Sequence, residues 1–239
     1  MNVCRFTVQC LRTVFFLSVL SVVSWGGVSS IHAMSILLPT GLNPGDTYQL
    51  AFQSRGTRNA LSTDIADYNM FVQNAANAAG IGFGSSFLGD VTWRAIGSTS
   101  TVSARDNALV STSVYNLNDQ ILALGFDDMW DGDLSNPILF DELGNSNGFT
   151  AWTGTGIDGM PSSNVLGDPT QSTLGIGGIT NEFWIDRGPF PSSGTRTLYA
   201  LSEPITVPQT PVPVPSSILL FGSGLVGLVG WRWWKGNLT

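Results

Sequence analysis

Asp46-Thr-Tyr-Gln-Leu-Ala-Phe-Gln53 alternates polar and apolar side chains, and Ile65-Ala-Asp-Tyr-Asn-Met-Phe-Val-Gln-Asn-Ala-Ala-Asn-Ala-Ala79 repeats its apolar ones at 65, 68, 72, 75, 76 and 79. The first period is that of a strand with Tyr48, Leu50 and Phe52 on one face. The second is that of a helix, with Ser62 or Thr63 placed to cap it and Gly80 to stop it. Downstream the chain breaks into short runs separated by Gly, Ser, Asn and Asp. Strands are predicted at 92–96, 111–116, 120–124, 149–153, 181–185 and 197–201. Gly154-Thr-Gly156 and Gly175-Ile-Gly-Gly178 are predicted to form joints and turns. One early helix followed by several short strands and long loops specifies an α+β domain over 45–203, with no repeat period and no second linker.

Outward from that domain the composition changes. All 17 acidic residues lie between Asp46 and Glu203, where only six Arg oppose them; the whole chain of 239 residues carries a net charge of −7. A nucleic-acid binder needs a basic stripe to meet phosphates, and this chain has none. The N-terminal side reads as a secretory signal peptide over 1–33. Arg5 and Arg12 make its positive region, Val14-Phe-Phe-Leu-Ser-Val-Leu-Ser-Val-Val-Ser-Trp25 its apolar core, and cleavage is expected after Ala33. Both cysteines (Cys4, Cys10) and the single histidine (His32) fall inside this segment. The mature protein is therefore expected to lack disulfides, thiol chemistry and a His base.

The C-terminal side has a Pro-rich linker over 204–217, expected to be extended and to join neither helix nor sheet. A charge-free apolar run follows, with Trp231, Trp233 and Trp234 at its end and Arg232 and Lys235 as a positive stop. A transmembrane helix over 218–234 is predicted, its basic end cytoplasmic and the domain outside. Val212-Pro-Val-Pro215-Ser-Ser-Ile-Leu-Leu-Phe-Gly-Ser-Gly-Leu-Val-Gly-Leu-Val-Gly230-Trp-Arg-Trp-Trp-Lys235 resembles a PEP-CTERM sorting signal. Pro213, Val214 and Pro215 stand where that signal carries Pro-Glu-Pro, and Arg232 with Lys235 form its basic cluster. The resemblance implies a Gram-negative secreted protein, recognised by a membrane exosortase and passed to the cell surface or an exopolysaccharide matrix.

Within the domain, Ala66-Asp-Tyr-Asn-Met-Phe-Val-Gln-Asn-Ala-Ala-Asn-Ala-Ala-Gly80, Trp93-Arg-Ala-Ile-Gly-Ser-Thr-Ser-Thr-Val-Ser-Ala-Arg-Asp106, Met129-Trp-Asp-Gly132, Trp152-Thr-Gly-Thr-Gly-Ile-Asp-Gly159, Trp184 and Leu198-Tyr199 occur in that order. The set resembles the C-type-lectin-like and endostatin-like superfamily and implies a single domain of that fold. The usual disulfide cysteines, and the Glu-Pro-Asn and Trp-Asn-Asp calcium and sugar motifs, are missing.

Three chemistries remain open. Asp127, Asp128, Asp131 and Asp133 around the Gly132 turn are a candidate calcium site, or else a solvated acidic turn. An EF-hand is excluded, because Met129 and Ile138 occupy its third and twelfth positions. Trp130 and Trp152 are candidate sugar-stacking rings, or else core residues. An Asp/Glu pair would permit glycoside hydrolysis. No Gly-x-Ser-x-Gly elbow is present, and the two Gly-rich segments lack the Gly-Lys-Ser/Thr of a phosphate loop. The leading expectation is a non-enzymatic surface or matrix protein, without cofactor, whose partners are the membrane, the sorting enzyme and a polysaccharide. The alternatives are an extracellular carbohydrate-active hydrolase and a calcium-stabilised matrix protein.

Overall fold

Alternation in the first strand works on both sides of a sheet. The computed structural model describes residues 38–85 and 88–209. β1 (Thr47–Gln53) lies inside a nine-stranded mixed sheet. Tyr48, Leu50 and Phe52 enter one hydrophobic core, and Ala51 enters a second core on the opposite face. The amides that share Ala51's side are buried as well. Gln49 Nε2 donates to the carbonyls of Leu109 (3.0 Å) and Ser202 (2.7 Å), and its Oε1 accepts from Ser111 N (2.8 Å). Gln53 Nε2 donates to Phe149 O and Thr197 Oγ1, both at 2.7 Å. Burial of a primary amide is tolerated when its hydrogen bonds are remade inside the protein, as on both ends of Gln49 and on Nε2 of Gln53; Gln53 Oε1 is buried without a partner among the described residues.

The remaining elements are α1 (Ile65–Ala78), β2 (Trp93–Ala95), the single turn α2 (Ala104–Asn107), β3 (Val114–Asn116), β4 (Ile121–Ala123), the single turn α3 (Phe126–Met129), β5 (Thr150–Trp152), β6 (Gln171–Ile176), a 3-10 turn (Glu182–Trp184), β7 (Gly188–Pro191), β8 (Thr197–Ser202) and β9 (Ile205–Thr206). The sheet runs β4-β3-β1-β8-β5-β6-β7, with β2 also on β8 and β9 on β1. β1 pairs parallel with β3 and antiparallel with β8; β8 gives its other edge to β2 and β5 in turn. The α+β class stands: a mixed sheet with few helices.

α1 packs Tyr68, Val72 and Ala76 into the first core. Its cap is Asp64, whose Oδ1 accepts from Ala66 N at 2.9 Å, one residue past the expected Ser62 or Thr63. Ser62 is held elsewhere, its hydroxyl on Asp67 Oδ2. Gly80 ends the helix at φ +76°, with Ile81 N bonding Ala76 O and Gly80 N bonding Asn77 O, a Schellman closure. The polar face of α1 serves β2. Gln73 Oε1 accepts from Trp93 N (2.7 Å), Asn69 Oδ1 accepts from Ala95 N (2.9 Å), and Asn107 Nδ2 donates to Ala95 O (2.8 Å). Side-chain amides thereby occupy the strand edge that another chain would otherwise find open.

Three expectations change. Residues 181–185 form the 3-10 turn and not a strand, because Asn181 Oδ1 caps Phe183 N and folds the segment back. Gly175 lies within β6 and not in a joint. Ile205 and Thr206, in the stretch expected to be spacer, pair with Tyr48 and Thr47, so the sheet closes beyond 203. Among the described residues no helix is long and apolar enough to cross a membrane. The expected span at 218–234 and the signal segment at 1–33 lie outside the described residues.

Burial also sets an alkaline limit. Desolvation pushes Tyr48 and Tyr68 up to about 12 from the usual 10 and holds Tyr199 well above it; Tyr115 is raised by the same cause and then by Asp119 and Asp46. Each phenol ionises more readily once unfolded. Its contribution is therefore complete below the unfolded pKa near 10 and is lost as pH rises through the raised folded value, about 12 for Tyr48 and Tyr68. Tyrosinate absorbance in an alkaline titration is expected to appear together with loss of the fold, not ahead of it. Free titration of all four tyrosines near 10 in folded protein would refute the burial.

Candidate functional site

The predicted stacking rings are both inside. Trp152 is fully buried in the first core, its Nε1 donating to Arg58 O at 3.0 Å. Trp130 is 7% exposed and lies beside Trp184, with ring centroids 6.3 Å apart, in the second core. Neither has a face left for a sugar. Carboxylates of the acidic run are engaged in shaping their own turns. Asp127 and Asp128 sit in the first turn of α3, where Asp128 Oδ2 accepts from Leu124 N (2.7 Å). Asp131 Oδ1 accepts from Asp133 N (2.9 Å) to shape its own turn. Among the described residues no three acidic, His or Cys side chains converge on a point that would hold a metal.

The site that the fold does build lies at the C-terminal end of β1. A cleft of ≈ 490 Å³ is lined by Arg55, Asp141, Asn145, Ser146, Asn147 and Phe149. Arg55 leaves β1 two residues after its end, with its backbone N–H held by Glu142 Oε2 at 2.9 Å. Its Nε lies 3.4 Å from Asp141 Oδ2, and the Arg side chain is half exposed while the Asp is enclosed. Asp141 is fixed in turn. Its Oδ1 accepts from Leu143 N (3.0 Å) and Asn145 N (2.8 Å), and Asn145 Nδ2 reaches it at 3.3 Å. Asn147 Nδ2 donates to Ser54 O at 3.1 Å, tying this loop to the end of β1. Phe149 closes the row. Its carbonyl accepts from Gln53 Nε2 (2.7 Å) and Gly177 N (3.1 Å), so the backbone is pinned while the ring stands 69% exposed. An exposed aromatic face beside an ion pair and amides is suited to a ligand with an apolar face and a polar rim.

A second cleft, ≈ 440 Å³, lies between β2, α2 and the end of β8, lined among others by Arg94, Asp106, Leu109 and Glu203. It adjoins the place where the chain leaves the domain. There Gly45 N bonds Val207 O (3.0 Å) and Val207 N bonds Asp46 O (2.8 Å). The Arg55 cleft is at the other end of β1, roughly 20 Å away by the rise of seven strand residues. The sequence pattern places Phe149 at a strand start but does not join it to Arg55, Asp141 and Glu142. The one local signal was an aromatic immediately after the Gly- and Asn-rich stretch Asn145-Ser-Asn-Gly148.

Beyond Val207, residues 211–235 match the PEP-CTERM protein-sorting motif. Pro213, Val214, Pro215, Arg232 and Lys235 all fall inside the match and outside the described residues. The motif implies export, processing by an exosortase and membrane-associated sorting to the cell surface. No curated protein matches the chain.

Proposed function

We propose that this exosortase-sorted extracellular protein is a non-enzymatic component of the cell surface or exopolysaccharide matrix, displaying a C-type-lectin-like domain that binds polysaccharide. An N-terminal signal peptide ending at Ala33 delivers it, and the apolar run at 218–234 holds it transiently in the membrane. The observation that carries the reading is the junction between domain and motif. The sheet closes at Val207 and the motif begins at 211, so the domain is coupled to its sorting signal with no second unit between them.

The lectin-like reading is supported by the paired first and last strands, with the early helix packed on one face of their sheet. The non-enzymatic reading is supported by Asp141, whose oxygens already accept from Arg55, Leu143 and Asn145. That arrangement fixes Asp141 in place, with its oxygens already engaged. The test is the intact mass of the protein purified from its native host. A mass beginning at Met34 and ending within 211–217 is expected. A mass that still includes Trp231–Thr239 would make the protein a plain single-pass anchored domain and overturn the sorting part of the reading.

A further inference from the structure

We propose that the cleft between Arg55 and Phe149 holds one neutral sugar ring of a polysaccharide chain. Phe149 is its stacking face, and Arg55 with Asn145 are the groups that read its hydroxyls. The assignment rests on the reading of the domain as a polysaccharide-binding module and names the place and the ligand class.

The argument begins with Phe149. Leaving a phenyl ring 69% exposed forgoes its burial, and this ring is not on a loose tip. Gln53 and Gly177 hold its carbonyl, so the backbone that presents the ring is set. The C–H face of a pyranose covers such a ring without needing charge. The polar side of the cleft is equally constrained. Asp141 takes Nε of Arg55 and leaves the terminal guanidinium nitrogens without a protein partner among the described residues. Asn145 spends its Nδ2 on Asp141, which leaves its Oδ1 as an acceptor. Donors and an acceptor fixed side by side suit hydroxyl groups, which both give and accept hydrogen bonds.

Charge decides between sugar classes. Asp141 at 3.4 Å and Glu142, bonded to the Arg55 backbone, surround the one cation of the cleft. The domain as a whole carries 17 acids against six Arg. A uronate or sulfated polymer meets net repulsion, whereas a neutral glycan does not. A volume of ≈ 490 Å³ lies within the ordinary range for small-ligand sites. The position is also apt, because the cleft is at the opposite end of β1 from the exit toward the sorting motif.

The test is affinity electrophoresis of the full chain in detergent, through gels containing dextran, a β-1,3-glucan, a galactomannan or, as the acidic comparator, alginate. Wild type is expected to be retarded by at least one neutral polymer and not by alginate. Phe149→Ala and Arg55→Gln are each expected to weaken that retardation about 10-fold, the scale of one aromatic or charge-assisted contact. Leu124→Ala, which removes an equally exposed apolar side chain outside the cleft, is expected to change nothing. Thermal melting of each variant checks folding. Phe149→Ala removes a ring that the core does not use, so its result decides even where loss of the Asp141 pair softens Arg55→Gln. Neutral-glycan binding that survives both substitutions would place the site elsewhere and leave the polysaccharide reading intact. Retardation by alginate alone would overturn the ligand class. No retardation by any polymer would overturn the polysaccharide reading itself, and this site with it.

Discussion

Gly175→Ala is expected to destabilise the domain by about 3 kcal/mol or more, the upper range for forcing atoms into a packed core, lowering the melting temperature by on the order of 10 °C. The cause is a close approach of backbone to backbone. Gly175 pairs with Ala151 in the middle of the sheet, and a Cβ there would stand 1.9 Å from Trp184 O and 2.7 Å from its carbonyl carbon. The obstacle is the 3-10 turn, which cannot rotate aside as a side chain would. That turn is also bound to the sheet through Thr153 Oγ1, which donates to Ile185 O at 2.7 Å. Pushing it out withdraws Trp184 from its contacts with Trp130 and Tyr199, whose ring centroids lie 6.3 and 6.1 Å away. Gly178→Ala is the matched control. Its nearest neighbour would be 3.8 Å away, and its effect is expected to stay within about 0.5 kcal/mol. Urea denaturation of both variants decides the matter; equal stability would show that the turn does not rest on Gly175.

Trp152→Ala is expected to cost about 3–5 kcal/mol, as for other buried aromatics removed from a core. Trp152 has no exposed surface and packs in the cluster formed by β1, α1 and β8. Its loss leaves a cavity and deprives Arg58 O of the indole N–H that it accepts. A sugar-stacking role predicts the reverse pattern: binding lost while the fold is kept. Denaturation curves of wild type and Trp152→Ala therefore separate the two roles without any ligand. A stability change below about 0.5 kcal/mol would contradict the burial.

The parts of this fold that were legible in the sequence are those whose partners are local. α1 announces itself because its buried residues recur at helical spacing, and Gly80 because a Schellman closure requires a left-handed residue. β1 was visible by alternation, but its second face was not. Gln49 and Gln53 look like solvent positions until Leu109, Ser202, Phe149 and Thr197 arrive from 60 to 153 residues away to receive them. β6 was hidden by Gly175, a residue present for the 3-10 turn that packs over it. β7 was hidden by Pro189 and Pro191, which lack a ladder donor and are tolerated because the strand lies at the sheet's edge. The Arg55 cleft had no local signature for the same reason. Arg55 and Asp141 are joined only by the fold, and the tryptophans that looked like surface tools belong to the two cores.

The pairing of Gly45 and Asp46 with Val207 has a mechanical consequence. The chain leading to the sorting motif leaves at one end of β1, and the Arg55 cleft is at the other. A polymer tugging on that cleft while the tail is fixed pulls along the strands, so the β1–β8 and β1–β9 ladders are loaded in shear. Many hydrogen bonds then resist together, whereas a pull across the strands would peel them one by one. The same closure that completes the sheet thus sets the direction in which the domain withstands tension.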